Sequence, residues 1–264
     1  MAYPTVLYGP ESMVYDDYAV NSPAPGNNGA GGAIAYRHRH PFGKQLILED
    51  GRMFRFAASG GSTLVIGNVL SASVATASQQ ALTPAAAAVD ARTISLTTGA
   101  SSAINLFAEG YANVSITPGL GNSYKIASHA LMTSGAGDIV NLAPGQAIRV
   151  ALTTSSRIDL INNPYARVIQ LPATTAASAI MGVAVSAPVT LRGCWIQTQG
   201  PACVLGITGL IAGTRAVAPS STAGACGPET AVAATSAIET TIGNTMFAVA
   251  SSSGQNVFLT LEGS

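Results

Sequence analysis

The sequence predicts an all-β protein, with sandwich or barrel lobes, an extended N-terminal arm and little helix. Short runs that alternate polar and apolar residues recur along the chain, and each stops at Gly, Pro, Asn or Ser. That is the period of half-buried strands. An Asp-Gly pair, Asp50-Gly51, separates two such runs and is a strong hairpin signal. The one helical candidate, Pro84-Ala85-Ala86-Ala87-Ala88, has Pro at a first-turn position but is too short to stand alone, so one or two turns at most are expected.

Residues 1–42 read as the arm. Tyr3, Tyr8, Tyr15 and Tyr18 are spread through it, and 23–32 then carries turn and linker chemistry without any period. Such a segment orders by lying across a neighbouring subunit, with the tyrosines as anchors. The Arg37-His38-Arg39-His40 run near its end places both arginines on one side of an extended strand and both histidines on the other.

Regular structure begins near Gly43. A two-residue type I′ turn at Asp50-Gly51 sets Glu49 opposite Arg52, Leu48 opposite Met53 and Ile47 opposite Phe54. Further strands are expected over 64–70, 93–98, 111–117, 148–152, 157–161 and 167–171. Composition shifts at 171–178, which places a boundary or hinge at 172–179, between a β-rich body (43–171) and a second β-rich lobe (172–264). The lobe holds strands at 181–185, 194–198, 203–207, 246–250 and 257–261, with 209–230 as a small-residue connection. Gly200-Pro201 is expected to turn the chain between the strands at 194 and 203. The only Trp, Trp195, is read first as a plug under that hairpin and second as an interface anchor, since Trp is enriched at binding hot spots.

Charge narrows the function. Only 9% of residues are charged and the formal net charge is zero, against about a quarter charged in ordinary soluble domains. Near-zero net charge favours association. Twelve scattered basic residues do not make the clustered cationic surface that nucleic acid requires. No run approaches the roughly 18 unbroken apolar residues of a membrane span, and the N-terminus lacks the pattern of a signal peptide. The expectation is therefore no nucleic-acid partner and no membrane.

Chemistry is hard to nominate. No two carboxylates sit at a spacing that aims them into one cleft, and neither a nucleophile elbow nor a phosphate loop occurs. A metal at His38 and His40 would need a third ligand such as His129; a polar segment docking on an acidic partner is the favoured reading. In an interface those two histidines would change charge between about pH 5 and 8. Cys194, Cys203 and Cys226 have no zinc spacing, their odd number leaves one unpaired, and buried thiols are favoured over a Cys194–Cys203 bridge. No enzyme activity, no cofactor and no metal are expected.

The segment Gly193-Cys194-Trp195-Ile196-Gln197-Thr198-Gln199-Gly200-Pro201, preceded by Met181-Gly182-Val183-Ala184-Val185, resembles a recurring motif of tailed-bacteriophage capsid decoration (cement) and other virion structural proteins. Gly43 to Arg52, Phe107 to Tyr111, Ser123 to His129 and Leu160 to Tyr165 fit the same group, so the resemblance covers most of 43–205. The extra cysteines and the high alanine content of 84–88 depart from it. The resemblance implies a decoration protein, made in the bacterial cytoplasm, that binds the major capsid protein on the outer head surface. It also implies self-association, commonly as trimers. A tail, fibre or baseplate subunit is the alternative within the same particle, although no repeat of the fibre type is present. Candidate interface residues are Tyr3, Tyr8, Tyr15, Tyr18, Arg37, His38, Arg39, His40 and Trp195.

Overall fold

The computed structural model describes residues 6–15, 18–19 (backbone alone), 40–173, 178–189, 191–218, 220–229, 240–247 and 254–262. In chain order the strands are β1 (Val6–Tyr8), β2 (Tyr18–Ala19), β3 (Gln45–Ile47), β4 (Met53–Ala58), β5 (Val69–Ser71), β6 (Thr83–Pro84), β7 (Thr93–Thr97), β8 (Tyr111–Ile116) and β9 (Ser123–His129). They continue as β10 (Gly137–Leu142), β11 (Arg157–Ile161), β12 (Ile169–Gln170), β13 (Ile180–Ala184), β14 (Arg192–Leu205), β15 (Arg215–Ala218), β16 (Gly227–Pro228), β17 (Thr240–Phe247) and β18 (Gly254–Thr260). Helical turns among the described residues are two short 3₁₀ pieces, Glu11–Tyr15 and Ala77–Gln79. The fold is all-β, as the alternation predicts.

The described chain divides into two compact units. The first takes in 6–19, 40–74 and the residues from 164 onward; the second is 75–163. This division differs from the boundary expected at 172–179. Ile180 pairs with Ser71 and Val183 with Val69, so the chain on both sides of 172–179 belongs to one sheet. The small residues there mark a connection inside a unit, and the second unit is an insertion between β5 and β12.

The first unit is a twelve-stranded sheet in the order β1-β3-β4-β14-β18-β17-β15-β16, with β2, β5, β12 and β13 branching from its middle. The β3–β4 hairpin exists in a shifted register. Ile47 opposes Met53, Leu46 opposes Phe54 and Gln45 opposes Arg55. Gly51 alone takes positive φ (+83°), and its N–H donates to the Leu48 carbonyl while Leu48 N–H donates to that of Arg52. This is a three-residue loop ending in a left-handed glycine. The one-residue shift puts Leu46, Leu48, Phe54 and Phe56 together in the core and turns the alternate residues outward.

β14 also departs from expectation. Gly200-Pro201 does not reverse the chain; one fourteen-residue strand runs through it. Its first half pairs with β4 and its second half, from Gln199, with β18. Gly200 at φ +91° and a register shift between Gln197 and Gln199 make the bend at which the partner changes. Gln197 Nε2 donates to the carbonyls of Gln199 (3.1 Å) and Pro201 (2.8 Å), bracing that bend.

The second unit is a six-stranded antiparallel sheet, β11-β8-β9-β10-β7-β6. Leu82 and Ile158 exchange both backbone hydrogen bonds, so the segment leading into β6 meets β11 and the sheet closes on itself. Ile94, Leu96, Val114, Tyr124, Ile126, Val140, Ile158 and Phe107 fill its interior. The predicted helix at 84–88 is absent. Pro84 opposes Leu96, Ala85 N–H donates to the Ser95 carbonyl, and Ala87 bridges Leu152. A neighbouring edge satisfies these backbone groups, whereas a five-residue helix has to nucleate alone. Two expected strands shrink: 148–152 keeps the single bridge at Leu152, and 64–70 begins pairing only at Val69, after a turn through Gly67.

Candidate functional site

Trp195 opposes Phe56 across β14 and β4 and is fully buried. Its ring meets those of Phe56 and His40, each at 5.3 Å between centroids. It is a core plug, and this burial corrects its alternative reading as an interface anchor. His40 packs in the same aromatic group and so belongs to the body. Tyr3, Arg37, His38 and Arg39 lie outside the described residues, as does the side chain of Tyr18.

The N-terminal segment, expected to reach over a neighbour, is docked on its own sheet where it is described. β1 runs parallel to β3, β2 pairs with the start of β14, and Val14 is buried. Tyr8 and Tyr15 remain exposed, at 75% and 57%. Glu11 accepts from Arg52 Nη2 (2.8 Å) and from the Tyr15 hydroxyl (3.3 Å), and Asp50 accepts from Arg52 Nε (2.6 Å). The Arg52 side chain holds the Glu11 carboxyl below its ordinary range. Asp50 is lowered too, first by the backbone N–H of Arg52. These groups line a notch of about 300 Å³ with Gly9, Pro10, Leu48 and Glu49. The arginine is already occupied by two carboxylates, so the notch is a strap that ties residues 9–15 to the β3–β4 turn.

Exposed apolar surface gathers elsewhere. In the first unit Pro201, Phe258, Asn244 and Arg215 form one outward row across β14, β18, β17 and β15. Cys203, Asn256 and Phe247 form the next. A register shift between Thr245 and Phe247 turns both Met246 and Phe247 to the outside. Phe247 is 62% exposed and Phe258 41%. The Arg215–Glu229 ion pair (3.3 Å) closes the rim. Neutral amides and apolar side chains therefore make a flat patch with its charges at the edge.

The second unit carries its own patch at one end of the closed sheet. Leu120, at the tip between β8 and β9, and Ile116, at the end of β8, are both exposed, and a β-carbon added at Gly119 would stand 2.9 Å from Leu152 Cδ2. Val89 and Val150 lie between the Ala87–Leu152 bridge and the Ile148–Ala91 hydrogen bond, which sets them side by side, and both are exposed. Arg149 and Arg157 flank the patch, and neither has a carboxylate partner among the described residues.

Sequence reasoning missed both patches. Leu120 was legible, as a large apolar residue at a Pro-Gly-Leu-Gly turn tip. The outward Met246 and Phe247 were not, because a bulge leaves no alternation to read.

None of the three cysteines is in a disulfide. Cys194 and Cys226 are buried, with Cys226 pushed up to about 12 by burial, while Cys203 is exposed in the first patch. Among the described residues no three His, Cys, Asp or Glu side chains gather as for a metal ion, and no helix is long and apolar enough to cross a membrane. No protein family model, curated protein or solved structure matches the chain.

Proposed function

We propose that this chain is a structural protein of a tailed-bacteriophage particle, a decoration or cement protein on the outer head surface. Its partners are the major capsid protein and further copies of itself, as a trimer. The observation that carries this reading is the pair of exposed, charge-poor apolar patches, one on each all-β unit. Eighteen large apolar side chains stay exposed among the described residues, in a chain with only twelve acidic and twelve basic residues. Single exposed hydrophobics are ordinary, but contiguous ones mark contact surfaces.

Rigid sheets suit the task. A shell seam is held by many modest contacts made at once, and two patches on one chain multiply each other's affinity. A surface with few charges also keeps its grip when ionic strength changes, because it has little to screen.

The test is add-back. Heads lacking the chain are heated with and without purified protein, and DNA release is followed. The reading expects release at a higher temperature with the protein present, and about tenfold weaker binding for Phe258→Ser or Leu120→Ser. Identical release curves, with no binding to heads, would overturn it; binding to tails alone would move the chain to the tail, fibre or baseplate.

A further inference from the structure

His129 lies at the end of β9, 2% exposed, with both ring nitrogens engaged. Nδ1 is 2.7 Å from the carbonyl oxygen of Ala130, which can only accept, so Nδ1 carries the hydrogen. Nε2 is 3.0 Å from the backbone nitrogen of Phe107, whose N–H can only donate, so Nε2 offers a lone pair. One neutral tautomer satisfies both bonds, and the imidazolium satisfies only the first.

What Nε2 holds is the middle of the segment 102–110. That segment is anchored at its ends, by the Ser102–Met132 bridge and by the hydrogen bonds of Ile126 with Glu109 and Gly110. Between the anchors Asn105 takes a left-handed conformation (φ +57°), which asparagine adopts readily, and Glu109 takes one at the second anchor (φ +60°), where a residue of its type needs its surroundings to hold it. His129 braces the Asn105 turn and the residue two beyond it. Its N–H donates to Asn105 Oδ1 (2.9 Å), its carbonyl accepts from Asn105 N–H (3.2 Å), and its ring lies 5.5 Å from that of Phe107, a core side chain.

We propose that His129 is an acid-sensitive latch: in its neutral form it holds the 102–110 segment closed over the core of the second unit, and protonation of Nε2 releases it. The added proton sets one N–H against another and leaves a charge in an apolar interior.

The ionisable groups around the ring are few. Asp138 on β10 favours the charged form, and Lys125 on β9 and Glu109 on the segment itself are the others on the elements packed against it. Burial outweighs Asp138 and holds the imidazole below its ordinary range. The unfolded histidine titrates near 6.5. With the folded value lower, the latch contributes fully above about pH 6.5, and its contribution falls as the pH drops below that. A particle that meets acid would loosen here first, within the second unit.

Amide hydrogen exchange on the full chain tests this, followed between about pH 7.5 and 5 and corrected for intrinsic rates. The expected result is loss of protection at Asn105 and Phe107 below about pH 6.5, by about tenfold for each unit of pKa depression. Protection in β14 stays flat. His129→Gln keeps an acceptor for the Phe107 N–H without titrating, and should remove the pH dependence. Should that variant fail to fold, the ¹⁵N shift of wild-type Nε2 decides: an unprotonated nitrogen at neutral pH that titrates together with the Phe107 amide supports the latch. A protonated Nε2 at neutral pH, or protection at Phe107 unchanged across the range, overturns it.

Discussion

Arg55 and Glu262 form a two-pronged ion pair that ties β4 to the residue two beyond the end of β18, across 207 positions of sequence. One prong joins Nε to Oε1 and the other Nη2 to Oε2 at 2.8 Å. Arg55 Nη1 also donates to the Gly43 carbonyl (2.7 Å), and Gln45 Nε2 to Glu262 Oε2 (3.3 Å). Both side chains are largely covered, so removing one partner leaves charge-assisted bonds unmade. Glu262→Gln should therefore cost the first unit about 1–3 kcal/mol. Urea unfolding measures this, and hydrogen exchange should show the end of β18 fraying first.

Trp195 contributes by volume. Its indole N–H has no hydrogen-bond partner among the described residues, so its role is packing against Phe56 and His40. Trp195→Ala should cost about 3–5 kcal/mol, and Trp195→Phe less because a ring remains. Equal unfolding midpoints for wild type and the alanine variant would mean that this side chain is not core.

The N-terminal strap makes a further prediction. Deleting residues 1–19 removes the β1 pairing along β3 and the buried Val14, so the first unit should lose stability. An arm that only reached over a neighbour would leave it unchanged. The strap is also sensitive to acid. The Glu11 and Asp50 carboxyls lie below their ordinary values in the folded chain, so their contribution is complete above about pH 4.5 and is lost as the pH falls further. Limited proteolysis at neutral pH and near pH 3 should show cleavage before residue 20 only in acid.

Gly200 fixes the bend in β14. At φ +91°, a β-carbon there would stand 3.0 Å from Arg52 Cγ and 3.3 Å from its Cα. Gly200→Ala should destabilise by about 1–3 kcal/mol, read as a lower melting temperature. A neutral substitution would mean that the partner switch does not depend on this conformation.

How much was legible follows from what each signal encodes. The strands at 93–98, 111–117 and 157–161 alternate large apolar with polar residues, and the structure keeps them as β7, β8 and β11. β15 lies in a stretch read as connection, because two of its three buried residues, Ala216 and Ala218, are too small to register as an apolar stripe beside Val217. The hairpin at Asp50 was visible, but its register depended on whether Asp50 or only Gly51 took positive φ. The dipeptide alone does not determine that. The domain boundary was obscured because β13 completes a sheet begun at β5, a long-range pairing that composition does not record. The histidines singled out for pH sensitivity were 38 and 40. His129, whose two ring nitrogens are both engaged, gives no such signal in the sequence, because only the fold brings Phe107 to it.

The central claim is a location, and a reconstruction of the purified particle by electron cryo-microscopy tests it most directly. The account predicts density for both β units on the outer face of the head, over seams between capsomers, with the patches around Phe258 and Leu120 in contact with neighbouring chains. Particles that lack this chain, or that carry it only away from the head, would contradict it.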